Sequence, residues 1–81
     1  MISAYKVRDA DGLYATKGFH SWTKRGKTWS MLGHITQAIS RWKEYHKEPV
    51  PEDWTIVELT PTGIREFSAR KHYEDRMAAK R

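Results

Sequence analysis

The chain has 81 residues, enough for one domain with one hydrophobic core, because two shorter pieces would each lack a core. Its 38% hydrophobic residues, including four tryptophans, exclude a disordered chain, and the absence of cysteine excludes disulfides and thiolate metal sites. The formal net charge is +5, from 15 basic and 10 acidic residues. Nucleic acid and acidic protein surfaces are therefore the candidate partners.

Compartment and membrane association follow from the same composition. Apolar runs are only two or three residues long, and the first residues lack the hydrophobic stretch of a signal peptide. A small secreted domain usually needs disulfides, which this chain cannot form. We therefore expect a cytoplasmic protein that does not bind a membrane.

The first 15 residues predict a β-hairpin. Residues 3–8 alternate loosely with a period of two, and residues 13–15 resume a composition typical of strands. Gly12 suits a tight turn that needs positive φ, and the Asp9 side chain can accept hydrogen bonds from the turn backbone.

The next segment, residues 16–29, predicts an ordered loop or a short third strand. Gly18 and Gly26 punctuate it, and Phe19, Trp22 and Trp29 are its apolar anchors. Its Lys-Arg-Gly-Lys tip at residues 24–27 suits a turn with a left-handed glycine.

Residues 31–46 predict an amphipathic helix with Ser30 as its N-cap. The helix should end before Pro49, since a proline forces an extended conformation on its predecessor. Apolar or aromatic side chains recur every three or four residues along one predicted buried stripe. Its members are Met31, Leu32, Ile35, Ala38, Ile39, Trp42, Tyr45 and His46.

The last third predicts a strand at residues 54–59, a turn at 60–63 and a partner strand at 64–67. A tail helix follows from Ser68 onward. Arg70 and Lys71 oppose the helix dipole in its first turn, so this helix is expected to be marginal or stabilised by a partner.

Together these elements predict an α+β fold: a small antiparallel sheet of three to four strands, one amphipathic helix packed on it and a C-terminal helix. The whole chain, 1–81, is expected to be a single domain. Its successive segments are 1–29 (hairpin and basic aromatic loop), 30–47 (helix), 52–67 (strand or hairpin) and 68–81 (tail helix).

No metal site is expected, because the histidines at positions 20, 34, 46 and 72 are too far apart along the chain. His34 and His46, at the two ends of the predicted helix, are interpreted as structural. The two acidic pairs, at 9/11 and 52/53, have local backbone roles, and no serine lies in a nucleophile motif. We therefore expect a non-enzymatic protein with no cofactor.

Residues 17–29 are the best candidate binding segment, because they hold four basic residues, no acid and three aromatics directly before a helix. Lysine and arginine neutralise phosphates, and Trp22 is the aromatic that would stack on bases. The alternative interpretation is that Trp22 and Trp29 are core anchors and that the basic side chains merely solvate a turn. Trp42 and Trp54 are assigned to the core.

The basic residues of the predicted helix, Arg41, Lys43 and Lys47, lie opposite its apolar stripe and would extend a basic surface if that face borders the 24–27 tip. Residues 69–81 are the second candidate segment, with a frayed tail as the alternative. The predicted binding residues are Lys17, Trp22, Lys24, Arg25, Lys27, Arg70, Lys71, Tyr73 and Arg76.

Four segments in the first half of the chain follow a familiar pattern: YKVR at 5–8, GLYATKG at 12–18, WTKRGKTW at 22–29 and GHI at 33–35. This pattern of hairpin, tryptophan with Gly-Lys-x-Trp, and helix resembles short accessory proteins of tailed bacteriophages. The resemblance implies a small protein made inside an infected bacterium, where such proteins bind host machinery, defence complexes or phage nucleic acid. It carries over no functional residue.

With this setting, the leading expectation is a binding protein that blocks or modulates a host factor, in an antidefence or takeover role. The expected partner is then a host protein or a nucleoprotein complex. The alternative is direct nucleic-acid binding by the basic aromatic loop. A minor virion or scaffold component, recognisable by self-association, is a third class.

Overall fold

The computed structural model describes residues 3–19 and 21–79, which form five strands and two helices. In chain order these elements are β1 (Ala4–Arg8), β2 (Tyr14–Ala15), β3 (Trp22–Thr23), α1 (Leu32–His46), β4 (Thr55–Thr60), β5 (Gly63–Ser68) and α2 (Ala69–Ala79). The strands form one antiparallel sheet in the order β3-β2-β1-β4-β5. The predicted α+β class is confirmed, but the sheet has five strands rather than three or four. His20 and the last two residues of the predicted tail helix, 80 and 81, lie outside the described residues.

The predicted N-terminal hairpin is confirmed. Oδ1 of Asp9 accepts hydrogen bonds from the backbone N–H groups of Asp11 and Leu13, each at 2.9 Å. Gly12 adopts φ 83°, the left-handed conformation that the turn requires. The hydrogen bonds of Asp9 and the conformation of Gly12 therefore reverse the chain direction, so that β2 runs antiparallel to β1.

The segment after β2 is ordered by backbone pairing at both of its ends. A single turn, Lys17–Phe19, leads into β3, which pairs with β2. Farther along, Trp29 and Tyr5 form an antiparallel bridge in which each N–H donates to the other residue's carbonyl oxygen at 2.8 Å. This bridge attaches the end of the segment to β1, the central strand of the sheet.

Helix α1 begins at Leu32, so the prediction that Ser30 is its N-cap is wrong. Trp29 is held in the bridge to Tyr5, and the N-cap residue is Met31, which has an extended backbone and no capping hydrogen bond from its side chain. The helix ends as predicted before Pro49. Lys47 takes the left-handed conformation there, and its N–H donates to the carbonyl oxygen of Lys43 at 2.7 Å.

The second half of the chain forms the predicted hairpin and tail helix. β4 and β5 pair along six residues each. Ser68 then caps α2, because its Oγ accepts a hydrogen bond from the N–H of Lys71 at 3.2 Å. Arg70 donates to Glu52 at 2.8 Å, so its charge in the first turn of the helix is compensated.

One hydrophobic core holds all these elements together. Its buried members are Val7, Ala15, Phe19, Trp29, Ile35, Ile39, Val50, Trp54, Ile56, Ala69 and Tyr73, and Trp22, Leu32, Trp42, Phe67 and Met77 pack against it half-buried. Register pairs Val7 with Ile56 on the sheet face that both helices cover. Neither helix among residues 3–19 and 21–79 has the length and apolar character needed to cross a membrane.

Candidate functional site

A groove of about 600 Å³ runs between helix α1 and the segment that leads into it. One wall comes from the turn after β2 and from the residues just before α1, and the other wall is one face of α1. The lining residues are Lys17, Gly18, Lys27 and Trp29 on the first wall and His34, Gln37, Ala38, Arg41, Trp42, Tyr45 and His46 on the second. We call this feature the α1 groove.

The helical wall is a continuous stripe. Positions 34, 37, 38, 41, 42, 45 and 46 recur at three- and four-residue spacing, which places them on one face of α1. From 34 to 46 this face is about 18 Å long at 1.5 Å per residue. The α1 groove is therefore elongated, and its length follows from the uninterrupted helix.

One backbone hydrogen bond and one tight turn place the first wall opposite the helix. The N–H of Lys27 donates to the carbonyl oxygen of Ala15 at 2.8 Å, which brings residue 27 next to the start of the 17–19 turn. Gly18 allows that turn by adopting φ 77°. Lys17 and Lys27 are ten positions apart in sequence, yet both reach the same groove.

The α1 groove is cationic. Lys17, Lys27 and Arg41 supply permanent positive charges from both walls, and His34 and His46 lie on the helical side. No carboxylate is present among the described residues that line it. Within the same part of the chain, none of the three permanent cations forms an ion pair. Their charges are therefore available to an anionic ligand.

Aromatic rings lie beside these cations. The ring centroid of Trp42 is 4.7 Å from that of His46 and 4.8 Å from that of Trp54 in the core. Tyr45 packs against His46 at 5.1 Å and is 80% exposed. Trp29 contributes a buried surface on the other wall. A series of rings thus extends from the core to the protein surface through the groove.

The predicted basic tip is divided by the structure. Lys17 and Lys27 line the α1 groove, whereas Lys24 and Arg25 are exposed at the turn between β3 and residue 27, outside it. The carbonyl oxygen of Arg25 accepts a hydrogen bond from Nζ of Lys6 at 2.7 Å. Lys24 and Arg25 therefore lie outside the groove, and the backbone of Arg25 is held next to the first strand.

Trp22, the predicted stacking residue, is half-buried against the core. Its ring lies 5.1 Å from Trp54 and 6.1 Å from Phe19, and it does not line the α1 groove. Trp29 is only 5% exposed. The alternative interpretation, in which these two tryptophans are core anchors, describes their positions better.

The predicted residues of the tail helix do not form one surface. Tyr73 is buried, and its hydroxyl lies 3.1 Å from Oγ of Ser40, so it attaches α2 to α1. Arg70 is paired with Glu52 and lies 3.8 Å from Glu74. Lys71 and Arg76 are exposed but lie outside the α1 groove.

Sequence reasoning missed the helical wall. The predicted buried stripe included Met31, Tyr45 and His46, but all three are exposed, and Met31 is 57% accessible. His34 and His46, interpreted as structural, line the α1 groove. Of the three helix residues predicted to extend a basic surface beside the 24–27 tip, only Arg41 lines the groove, where it shares the lining with Lys27 of that tip and with Lys17. The sequence signal that could have identified this wall is the set of polar and aromatic residues that recur every three or four positions from 34 to 46.

Metal ligation finds no support in the described part of the chain, where no three histidine or carboxylate side chains are grouped as ligands. Comparisons with known protein families, with curated protein sequences and with solved structures find no match to this chain. The function of the protein is therefore inferred from the chemistry of the α1 groove.

Proposed function

We propose that the protein binds nucleic acid in the α1 groove. The observation that supports this proposal most directly is the charge of the groove, which has permanent cations on both walls and no acid among its described lining residues. Phosphate groups meeting such cations release condensed counterions, and this release drives sequence-independent binding. No catalytic step is part of the proposal.

The rings in the groove support nucleic acid over a simple anion. Trp42, Tyr45 and His46 present aromatic surface next to Arg41 and across from the two lysines. A groove that combines basic side chains with aromatic rings is suited to nucleic acid, because the cations bind the phosphate backbone while the rings contact the bases. A small inorganic anion would use only the charges.

The proposal predicts how strongly salt weakens binding. Three phosphates neutralised by Lys17, Lys27 and Arg41 give a slope of log K against log salt of about −2 to −3. Each replacement by glutamine should weaken binding of a fluorescent oligonucleotide and reduce the steepness of that slope by about 0.7 to 0.9. Fluorescence anisotropy at several salt concentrations measures both quantities.

Lys24→Gln is the matched control, because Lys24 belongs to the same basic segment but lies outside the α1 groove. We expect this variant to lose less affinity than Lys27→Gln and to keep most of the salt slope. Equal effects of the two variants would place binding on the 24–27 tip. No binding to any oligonucleotide at low salt would contradict the proposal altogether.

As a second function we propose that the protein binds and blocks a protein of a host bacterium, the role that the resemblance to phage accessory proteins implies. The observation in its favour is β5, which forms an outer edge of the sheet and pairs only with β4 among the described residues. Ile64 on this strand is 66% exposed. An open strand edge can accept a strand of a partner protein.

Affinity capture from bacterial lysate, with and without nuclease and at two salt concentrations, tests this second function. A single host protein that survives nuclease and high salt, and is lost with Ile64→Asp, would support it. Recovery of nucleic acid alone, released by salt, would contradict it and favour the α1 groove.

A further inference from the structure

We infer that the ligand of the α1 groove is single-stranded nucleic acid, whose unpaired bases stack on the aromatic residues of α1. This inference rests on the proposed function and narrows its ligand. The residues concerned are Trp42, Tyr45 and His46, which lie within one helical turn of each other and line the groove. Base stacking on such rings tolerates any sequence, because every base has a π-face.

Trp42 is held in place before any ligand arrives. It lines the groove and also packs edge-on against Trp54, at 4.8 Å between centroids and 61° between ring planes. Trp54 is itself buried and lies 5.1 Å from Phe19. Because the core fixes this ring, little side-chain freedom is lost when a base packs on it.

Tyr45 is the accessible member of the set. Its side chain is 80% exposed although it is large and aromatic, and it packs edge-on against His46 at 5.1 Å. Among the described residues, Tyr45 belongs neither to the core nor to the side chains packed against it. A ring exposed beside cations is suited to stacking with a base, as is the ring of Trp42 one turn away.

The dimensions of the groove favour unpaired bases over a duplex. In a duplex the base faces are covered by neighbouring bases, so a protein meets only edges and phosphates. A groove of about 600 Å³ accommodates a ligand of the size of a few stacked rings with their backbone. A duplex lying across the groove would contact Lys17, Lys27 and Arg41 but would leave Trp42 without a base to stack on.

Three probes separate the contributions of bases and phosphates: an eight-nucleotide thymidine strand, an abasic strand of the same length, and a DNA hairpin whose loop is a non-nucleotide linker, so that all its bases are paired. We expect the thymidine strand to bind at least about tenfold more tightly than either of the others, since one base on an aromatic ring is worth about that factor. It should also quench tryptophan fluorescence more than the abasic strand does.

Tyr45→Ala and Trp42→Leu test the rings. Each is expected to weaken binding of the thymidine strand about tenfold and to leave the abasic strand unchanged. Met31→Ala, at an exposed apolar residue that does not line the groove, is the control and should change neither. Trp42 contacts the core, whereas Tyr45 is exposed, so the Tyr45 variant keeps the test valid if Trp42→Leu unfolds.

The possible failures are distinguishable. If the hairpin and the thymidine strand bind equally and both need Lys27 and Arg41, the proposed function holds and the single-strand inference is wrong. If the Tyr45 and Trp42 variants bind all probes like the parent protein, the inference is also wrong. If none of the probes binds at low salt, the inference and the proposed function are both overturned.

Discussion

At the scale of single residues, Gly26 is subject to two constraints at once. Its φ is 61°, and a Cβ at this position would lie 2.4 Å from Cβ of Tyr14 and 2.8 Å from the carbonyl oxygen of Ala15. Gly12 has a similar φ, 83°, but has open space around the position of a Cβ. Substituting Gly12 therefore tests the cost of a side chain on a left-handed backbone alone, whereas substituting Gly26 adds the cost of a steric clash.

We expect Gly12→Ala to lower the free energy of unfolding by about 1 kcal/mol, the usual cost of a left-handed side chain. Gly26→Ala should lower it by about 3 kcal/mol, because the backbone of β2 must also move. Urea denaturation followed by circular dichroism measures both. Equal losses in the two variants would show that the contact with Tyr14 relaxes at no cost.

Folding changes the ionisation of His72. Burial lowers the pKa of its imidazole below the ordinary 6.5, and the positive charge of Arg76 acts in the same direction, opposed by Asp75. Among the described residues, its Nε2 has no hydrogen-bond partner. The folded protein therefore disfavours the protonated ring.

This direction predicts that acid destabilises the protein through His72. Because the unfolded chain binds the proton more readily, stability is fully present above about pH 6.5 and falls as the pH drops through that value toward the lower folded pKa. Unfolding measured between pH 7.5 and 5.5 should show this loss, and His72→Phe should reduce it. A loss of stability in His72→Phe as large as in the parent protein would contradict this assignment.

At the scale of elements, the end of α1 depends on an unfavourable residue. Lys47 adopts φ 58° and ψ 36° while its N–H closes the last turn on Lys43. Glycine is the usual residue in this position, since it has no Cβ to crowd the left-handed backbone. The helix therefore ends where the chain must turn toward Val50, which is buried in the core.

Lys47→Gly is expected to raise the free energy of unfolding by about 1 kcal/mol relative to Lys47→Ala. The alanine variant is the matched control, because it also removes the charge but retains the strained conformation. Thermal unfolding of the two variants measures the difference. A Gly variant no more stable than the Ala variant would show that the flexibility of the unfolded chain offsets the relief of strain.

The helices and hairpins were largely predictable because their signals are local. The Asp9 side chain and Gly12 make the first turn within a few residues. Apolar residues recur at intervals of three and four from Leu32 to Trp42, and this spacing is enough to identify α1. The start of α1 was mistaken because Trp29 bonds to Tyr5, which is 24 positions away. A capping residue at 30 is a local signal, and this long-range bridge overrides it.

At the scale of the whole molecule, one core includes residues from every strand and both helices. Val7 of β1, Ile39 of α1, Trp54 before β4 and Tyr73 of α2 belong to the same cluster of side chains. In such a fold no element has a separate core that would keep it folded after the others unfold. The tail helix, expected to be marginal, is held in this core by Ala69 and Tyr73.

We therefore predict a single cooperative unfolding transition. Tryptophan fluorescence, which reports on two tryptophans in the core and two packed against it, should give the same denaturant midpoint as circular dichroism at 222 nm, which reports on both helices. A loss of helical signal before the fluorescence changes would show that α2 unfolds independently. Tyr73→Ala should then lower only the helical midpoint.

The sequence by itself determined the fold class, the order of the elements and the basic, aromatic character of residues 17–29. Periodicity, turn residues and composition are properties of neighbouring positions, so they can be recognised without coordinates. They also identified Lys17 and Lys27 as binding candidates, although together with Lys24, Arg25 and Trp22, which lie elsewhere. The sequence could not show which residues of this basic segment lie together on one surface and which lie elsewhere.

Only the tertiary structure decided which side chains form the α1 groove. Arg41 meets Lys17 and Lys27 there because a backbone bond from Lys27 to Ala15 and the packing of α1 on the core bring distant residues together. The period of a helix shows which of its residues share a face, but not what covers that face. Tyr45 is exposed and Tyr73 is buried because packing between distant parts of the chain, rather than residue type, determines exposure.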